Sequence, residues 1–465
     1  MIDTQALRQK VIDSAITGHL TTQNNTENAK DELQKIIASL GKPQQRRIEL
    51  GEKWNSIPNN WAWTTLESIT TTDTLNDGNW VLKKDMVDDG PVKLLQLGCI
   101  GDCKFITKKY KYLTDKKFDE LGGKQIYPGY LLINRLVIDK MKSCIIPNID
   151  GKLITAVDVC WVAPNEEFYN LDYVLYALNS SGFQRRVQNL GRGVTRFRIS
   201  KLNLINIAFP FPPREEQNRI VNEISNAFIL LDKIDDLQSR YANNLSALDK
   251  KILDLAVQGK LVPQDPSDEP ASVLLEKIAA EKQKLIQEGK IKKQKKLPAI
   301  TEDEIPFKIP ESWEWARIGV VFNLQAGKNK KASQIFSKKT DIHKYPCFGG
   351  NGIRGYVDDY NRCGEYALIG RQGALCGNIN FAEGKFYATE HAVVVEHFAN
   401  TNVTWSGYFL RALNLNQYAT ATAQPGLAVS NINNVLIPIP PVNEQKRIVK
   451  MIDKINAQID LQKQE

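Results

Sequence analysis

Arginine and glutamine can pair bidentately with guanine and adenine edges, and glycine lets a backbone approach a phosphate closely, so loops combining them are candidate sites for chemistry. Three loops do so. GGNGIRGY (349–356) packs four glycines around Asn351 and Arg354. Arg371 follows a β-rich run and precedes Gln372-Gly373, and Arg135 holds the equivalent strand end earlier in the chain. NLGRGVTRFRIS (189–200) carries Arg192, Arg196 and Arg198, with ATAQPGLAVSNIN (421–433) as its counterpart. Base or phosphate contact is one reading of these arginines; surface ion pairs are the other, and a tight hairpin accounts equally for the glycines.

Residues for self-contained catalysis do not assemble. GKP (41–43), GGKQ (122–125), GKL (259–261) and GKN (327–329) all lack the Gly-x4-Gly-Lys-Ser/Thr cradle for phosphates. No glycine-rich strand-to-helix turn with a following acid, and no Asn/Asp-Pro-Pro-aromatic tetrapeptide, marks an S-adenosylmethionine enzyme. Glu-Gly-Lys at 288–290 and 383–385 has no carboxylate partner suited to a one-metal nuclease. Cys99 and Cys103, like His391 and His397, lack the paired spacing of a zinc site. The expectation is a chain with no catalytic residues, no metal and no cofactor of its own.

The elements that must position these loops are announced by repetition. FPFPPREEQNRIVNEI (209–224) matches IPIPPVNEQKRIVKMI (437–452) at an offset of 228, ALRQKVIDSAITGHL (6–20) matches ALDKKILDLAVQGKL (247–261) at 241, and IPNNWAW (57–63) matches IPESWEW (309–315) at 252. YLLINR (130–135) answers YALIGR (366–371), and YVLYALN (173–179) answers YFLRALN (408–414). Projected onto the central connector, Glu465 falls at 237 and Met1 at 242, so the two chain ends together rebuild that connector. The repeat is circular, a single-chain imitation of a two-fold dimer.

After Pro212-Pro213, apolar residues at Ile220, Ile224, Ala227, Leu231, Ile234, Tyr241, Leu245, Leu248, Ile252 and Leu255 alternate four and three apart, with only Gln238 breaking the seam. They predict a helix of about 44 residues and about 66 Å, ended by Gly259 and the prolines beyond it. Ile448, Ile452, Ile455 and Ile459 repeat the seam, and antiparallel packing is expected to bury both stripes. A second helix at 272–296 runs into a lysine-rich tail that reads as a solvated surface. Between the connectors, runs such as GYLLINRLVI and EHAVVVEHF alternate with Gly-, Asn- and Asp-containing turns, as in a curled sheet with a few helices laid against it. The fold class is therefore α+β: two similar α/β modules separated by long antiparallel coiled-coil helices in a pseudo-two-fold circular repeat.

Length, composition and charge fit this plan. The 465 residues exceed one ordinary core, and 42% hydrophobic with 25% charged residues belongs to a globular chain. Residues 64–205 hold 20 Lys+Arg against 16 Asp+Glu, residues 316–436 hold 12 against 7, and the remainder 29 against 30, so the positive balance lies in the two modules. Seven cysteines, odd in number and sparse, fit reduced thiols, and no run of about 18 to 20 apolar residues suggests a membrane span. A cytoplasmic location is expected.

With Pro-x-Pro-Pro-x-x-Glu-Gln-x-Arg-Ile-Val ending each module, and KILDLAVQGKLVPQDPSDEPASVLLEKI (251–278) in the connector, the chain resembles the DNA-specificity subunit of type I restriction-modification systems. The resemblance spans the whole chain, with one departure: TTQNNTENAKDELQKIIASLGKPQQRR (21–47) stands where the central copy is proline-rich. It implies helical spacers at 1–50, 213–305 and 442–465 and target-recognition domains at 51–212 and 306–441. Each domain would read half of a bipartite, asymmetric site in double-stranded DNA. The spacers would set the gap and dock two methyltransferase subunits, with restriction and motor subunits joining for cleavage; S-adenosylmethionine, ATP and magnesium would belong to those partners. DNA contacts are then expected from Lys104, Lys108, Lys109, Arg135, Arg192, Arg196 and Arg198 in the first domain, and from Lys328, Lys330, Lys331, Arg354, Arg371, Gln372 and Gln424 in the second. Glu216, Gln217, Arg219, Glu444, Gln445 and Arg447, at the spacer starts, are expected near the domains and the methyltransferase. A coiled-coil scaffold whose modules bind protein or RNA is the alternative.

Overall fold

A computed structural model describes residues 1–24, 26–42, 56–193, 196–373, 375–420 and 425–464. The chain forms two compact units, Met1–Arg240 and Tyr241–Glu465. The division lies inside the helix Arg214–Val257, between the positions onto which the two chain ends project.

In the first unit, strands Leu75–Asp77, Val159–Val162, Leu131–Asn134 and Ser143–Ile145 lie in that order in an antiparallel sheet. Alternate side chains serve two cores, as the two-residue period of a strand requires. Leu131, Ile133, Cys160 and Val162 point into the main core with the helices, while Leu132, Val159 and Trp161 point into a smaller one. A second sheet orders Lys111–Leu113, Val92–Leu95 and Lys152–Thr155, the last two parallel. Ala62–Thr64 pairs with Phe209–Phe211 where the module meets its helices.

The second unit repeats this plan. Asn323–Ala326, Ala392–Glu396, Tyr366–Gly370 and Ile379–Ala382 form the equivalent four-stranded sheet. Val393 and Val395 face the main core and Val394 the smaller one. Tyr345–Gly349 and Lys385–Ala388 form the parallel pair of the second sheet, and Glu314–Arg317 pairs with Leu436–Ile439. Helices Leu171–Asn179 and Val403–Ala412 occupy corresponding places. Asn170 and Asn402 cap them, each side-chain oxygen accepting from a backbone N–H of the first turn.

The helix Arg214–Val257 has 44 residues. It ends as a Schellman motif: Lys260 N donates to Leu255 O at 2.8 Å and Gly259 N to Ala256 O at 3.1 Å, with Gly259 at φ +69°. Gly18, at φ +78°, ends Thr4–Ile16 the same way. The expected burial of the whole apolar seam is corrected. Ile220, Ile224 and Leu231 are buried at one end and Ile252 at the other, where each unit's own core reaches the helix, but Tyr241 and Leu248 are exposed, as are Ile229, Leu230 and Leu237 beside the seam. Among the described residues, no helix is long and apolar enough to cross a membrane.

Candidate nucleic-acid interface

In both units the candidate loops hang on one backbone frame at a sheet end. In the first, Arg135 N donates to Asp158 O, Ile199 N to Arg135 O and Val137 N to Phe197 O, all at 2.8–3.0 Å. In the second, Arg371 N donates to His391 O, Leu427 N to Arg371 O and Gly373 N to Pro425 O over the same range, 2.9–3.0 Å. Strand register extends the equivalence: Asp77 lies opposite Cys160 as Ala326 lies opposite Val393. Position by position, Asp77 answers Ala326, Arg135 answers Arg371, Asp158 answers His391 and Arg198 answers Gly426.

The side chains on this frame differ. Arg135, expected to contact DNA, is only 2% exposed. Its Nη1 donates to Ile199 O at 3.3 Å and Nη2 to Val157 O at 2.6 Å. Its Nε lies 3.1 Å from Asp77 Oδ1, an ion pair without hydrogen-bond alignment. Asp77 Oδ1 also accepts the Cys160 thiol at 2.9 Å. Arg135 is thus part of the frame, and its expected DNA contact is corrected. Arg371 is half-buried, and among the described residues its side chain forms no hydrogen bond or ion pair.

Exposed arginines gather beside this frame in the first unit. Arg192 and Arg198 exchange backbone hydrogen bonds at 2.9 and 3.0 Å. Arg196 and Arg198 reach the mostly buried Asp158 at 3.5 and 3.4 Å, too long for strong pairing. One carboxylate thus balances two of three neighbouring guanidinium groups. Lys104, Lys108 and Lys109 are exposed on a separate segment, and no hydrogen bond or ion pair joins them to the arginines.

In the second unit the GGNG loop lies against Arg371. A Cβ at Gly370 would stand 2.0 Å from Gly350 O, so only glycine allows the approach there, and one at Gly350 would meet Gln372 O tightly at 3.2 Å. Arg354, against Gly349, and Gln372, beside Gly350, are exposed, as are Lys328 and Lys331 after the strand Asn323–Ala326. Lys330 is instead mostly buried, 2.5 Å from Asp359 and 3.4 Å from Asp358. Burial works against its charge, but the two carboxylates outweigh it and raise its pKa. Its expected DNA contact is corrected to an internal anchor. Gln424 lies outside the described residues. The sequence reading missed Asn378, which donates to Asn351 Oδ1 at 2.9 Å, and the trio Asn329–Glu390–His391, in which Glu390 Oε1 lies 3.2 Å from Asn329 Nδ2 and 3.1 Å from His391 Nε2. A polar side chain beside an already suspected strand end was the only available signal.

At the spacer starts, Glu216, Gln217, Glu444 and Gln445 are at most 1% exposed, which corrects their expected contact with a partner. They lock each unit internally. Trp61 Nε1 donates to Glu216 Oε2 at 2.9 Å and Trp313 Nε1 to Glu444 Oε2 at 2.8 Å. The second carboxylate oxygens accept from Thr21 and Gln264. Gln217 Oε1 accepts from Asn170 N and Gln445 Oε1 from Asn402 N, while their amide groups donate to Pro212 O and Pro440 O. Arg219 forks onto Glu27 and Arg447 onto Asp268. Burial raises the Glu444 pKa, partly offset by the bonds from Trp313 and Gln264.

Residues 310–465 match the family described as type I restriction modification DNA specificity domain. The chain is 46% identical over 140 residues to the EcoprrI specificity subunit of Escherichia coli, covering 30% of this chain and 35% of that one. It is 26% identical over 540 aligned positions to the EcoAI specificity subunit of Escherichia coli, covering 97% of this chain and 88% of that one. A solved chain, described under complex assembly and conformational transition of the type I R-M system, shares the fold with a TM-score of 0.55, at 19% identity, over 88% of this chain and 94% of that one. The second unit thus matches the type I restriction modification DNA specificity domain, and along nearly its whole length the chain is similar to a type I specificity subunit.

Proposed function

We propose that each unit reads one half of a bipartite, asymmetric site in double-stranded DNA, and that the chain itself carries out no chemistry. The observation that carries this reading is one backbone frame built twice with different side chains upon it: Asp77, Arg135, Asp158 and Arg198 in one unit, Ala326, Arg371, His391 and Gly426 in the other. Two similar frames with different surfaces suit two unlike half-sites. Arg192, Arg196 and Arg198 supply phosphate and base contacts in the first unit; Lys328, Lys331, Arg354, Arg371 and Gln372 do so in the second. The helix Arg214–Val257 fixes the unread gap.

Two methyltransferase subunits dock on the spacer helices, for which the exposed Leu230, Leu237, Tyr241 and Leu248 offer apolar surface. At 100° per residue Leu230 and Leu237 of the first unit fall within about 20° of one another around the helix, as do Tyr241 and Leu248 of the second. Restriction and motor subunits complete the assembly in the cytoplasm, and S-adenosylmethionine, ATP and magnesium act in those partners.

The test is a long-read methylome of a methylation-free host expressing this chain with an adenine methyltransferase subunit of its system. A new asymmetric motif with two short specified halves and a fixed unread gap is expected. A soluble complex that leaves the genome unmethylated would overturn the reading.

A further inference from the structure

The arginine at the end of the central strand is present in both units but is held differently, and the residues two strands away differ as well. In the first unit Asp77 sits two strands away, beyond Val159–Val162, where it takes the Cys160 thiol at 2.9 Å and lies 3.1 Å from Arg135 Nε. In the second unit the corresponding pair is Ala326 and Val393, with neither charge nor thiol. The backbone that would receive an inward-turned Arg371 is nevertheless there. Val157 O and Ile199 O hold Arg135, and Glu390 and Leu427 occupy the matching positions, the latter fixed by its 2.9 Å bond to Arg371 O.

We propose that residue 326 is a specificity-determining position of the second unit, acting through Arg371: alanine leaves the guanidinium available to DNA, and an acid there would fold it into the protein. This rests on the reading of the second unit as a DNA-recognition module. Ala326 touches no base itself; it is a positioning residue. The proposal gives the two units different recognition through one half-buried choice behind the surface, in addition to the loop residues on it.

The full chain, assembled with its methyltransferase subunits, is assayed for binding to a duplex carrying its methylome-defined motif and to duplexes with either half scrambled. Arg371→Ala is expected to weaken binding between about 5-fold and about 150-fold, the range for loss of one bidentate base contact, with discrimination against scrambling of the second unit's half reduced. Ala326→Asp should reproduce that loss, Ala326→Asn should not, and Arg371→Ala/Ala326→Asp should lose no more than Arg371→Ala. Should Ala326→Asp alone yield no soluble complex, Ala326→Asp/Val393→Cys transplants the side-chain set that the first unit already accommodates. An acid that leaves binding intact while Arg371→Ala weakens it would overturn the proposal, as would equal losses from Asp and Asn. If Arg371→Ala has no effect although the motif is methylated, Arg371 is not a contact and the proposal falls, while the bipartite reading stands.

Discussion

Trp313→Phe tests whether the lock at the second spacer holds its unit together. Trp313 is 3% exposed and Glu444 1%, and the 2.8 Å bond between them supplies the indole donor for Glu444 Oε2. Phenylalanine removes that donor and leaves a charged oxygen in the interior with no partner. Losing a hydrogen bond to a charged group costs about 1.5–3 kcal/mol. The smaller ring also loosens contact with Phe409, whose ring centre lies 6.0 Å away, adding about 1 kcal/mol. The expected total is about 2.5–4 kcal/mol, measured by hydrogen exchange of peptides covering 436–452 and by urea unfolding. Replacing both partners, in Trp313→Phe/Glu444→Leu, should recover at least half of that loss, because no buried charge remains to be satisfied. Glu444→Gln should cost less than Trp313→Phe at neutral pH, since the amide oxygen still accepts from the indole. It should also remove a pH dependence. A carboxyl with a folded pKa above its ordinary 4.5 contributes stability at low pH that is lost as pH rises from that value through the folded pKa. Strictly additive losses in the double variant, or an unchanged pH profile in Glu444→Gln, would refute the reasoning.

The other spacer contact has the opposite pH sign: the Arg219 hydrogen bond holds Glu27 below its ordinary 4.5, so its contribution is present at neutral pH and lost as pH falls through the lowered pKa. Arg219→Ala should flatten that acid limb in an unfolding titration, at a cost under about 1 kcal/mol because the pair is partly exposed. Gly259→Ala forces a side chain into positive φ and places its Cβ 2.4 Å from Pro310, so a loss of at least about 1–2 kcal/mol is expected by thermal unfolding. Arg196→Ala and Arg198→Ala should each lower the slope of log affinity against log salt by about 0.9 if they contact phosphate, and an unchanged slope would remove that role.

The plan of the fold was legible because it depends on local signals that occur twice. Pro-x-Pro-Pro marks both spacer starts, Gly18 and Gly259 end equivalent helices, and the β-runs carry a two-residue period. Side-chain destinations were less legible because their partners lie far away in the chain. Arg135 and Arg371 occupy equivalent strand ends in YLLINR and YALIGR, yet Arg135 is internal, held by Asp77, Val157 O and Ile199 O, all distant in sequence. Glu216 and Glu444 read as surface charges at a helix start, where acids are favoured anyway. Trp61 and Trp313, each in a repeated motif of its own, turn them into buried acceptors.

The same physics explains how one chain can combine a duplicated scaffold with two different recognition surfaces. Each lock buries a carboxylate, an amide and an indole whose donors and acceptors answer one another, so changing one member strands the rest at a cost of several kcal/mol. Exposed positions such as Lys328, Arg354 and Gln372 carry no such debt, and substitutions there typically move stability by less than about 0.5 kcal/mol. Recognition can therefore be rewritten on the frame without rebuilding it. Position 326 lies between these regimes: it is half-buried, stands two strands from the strand end that carries Arg371, and on the proposal above alters what is read through a change made just inside the protein.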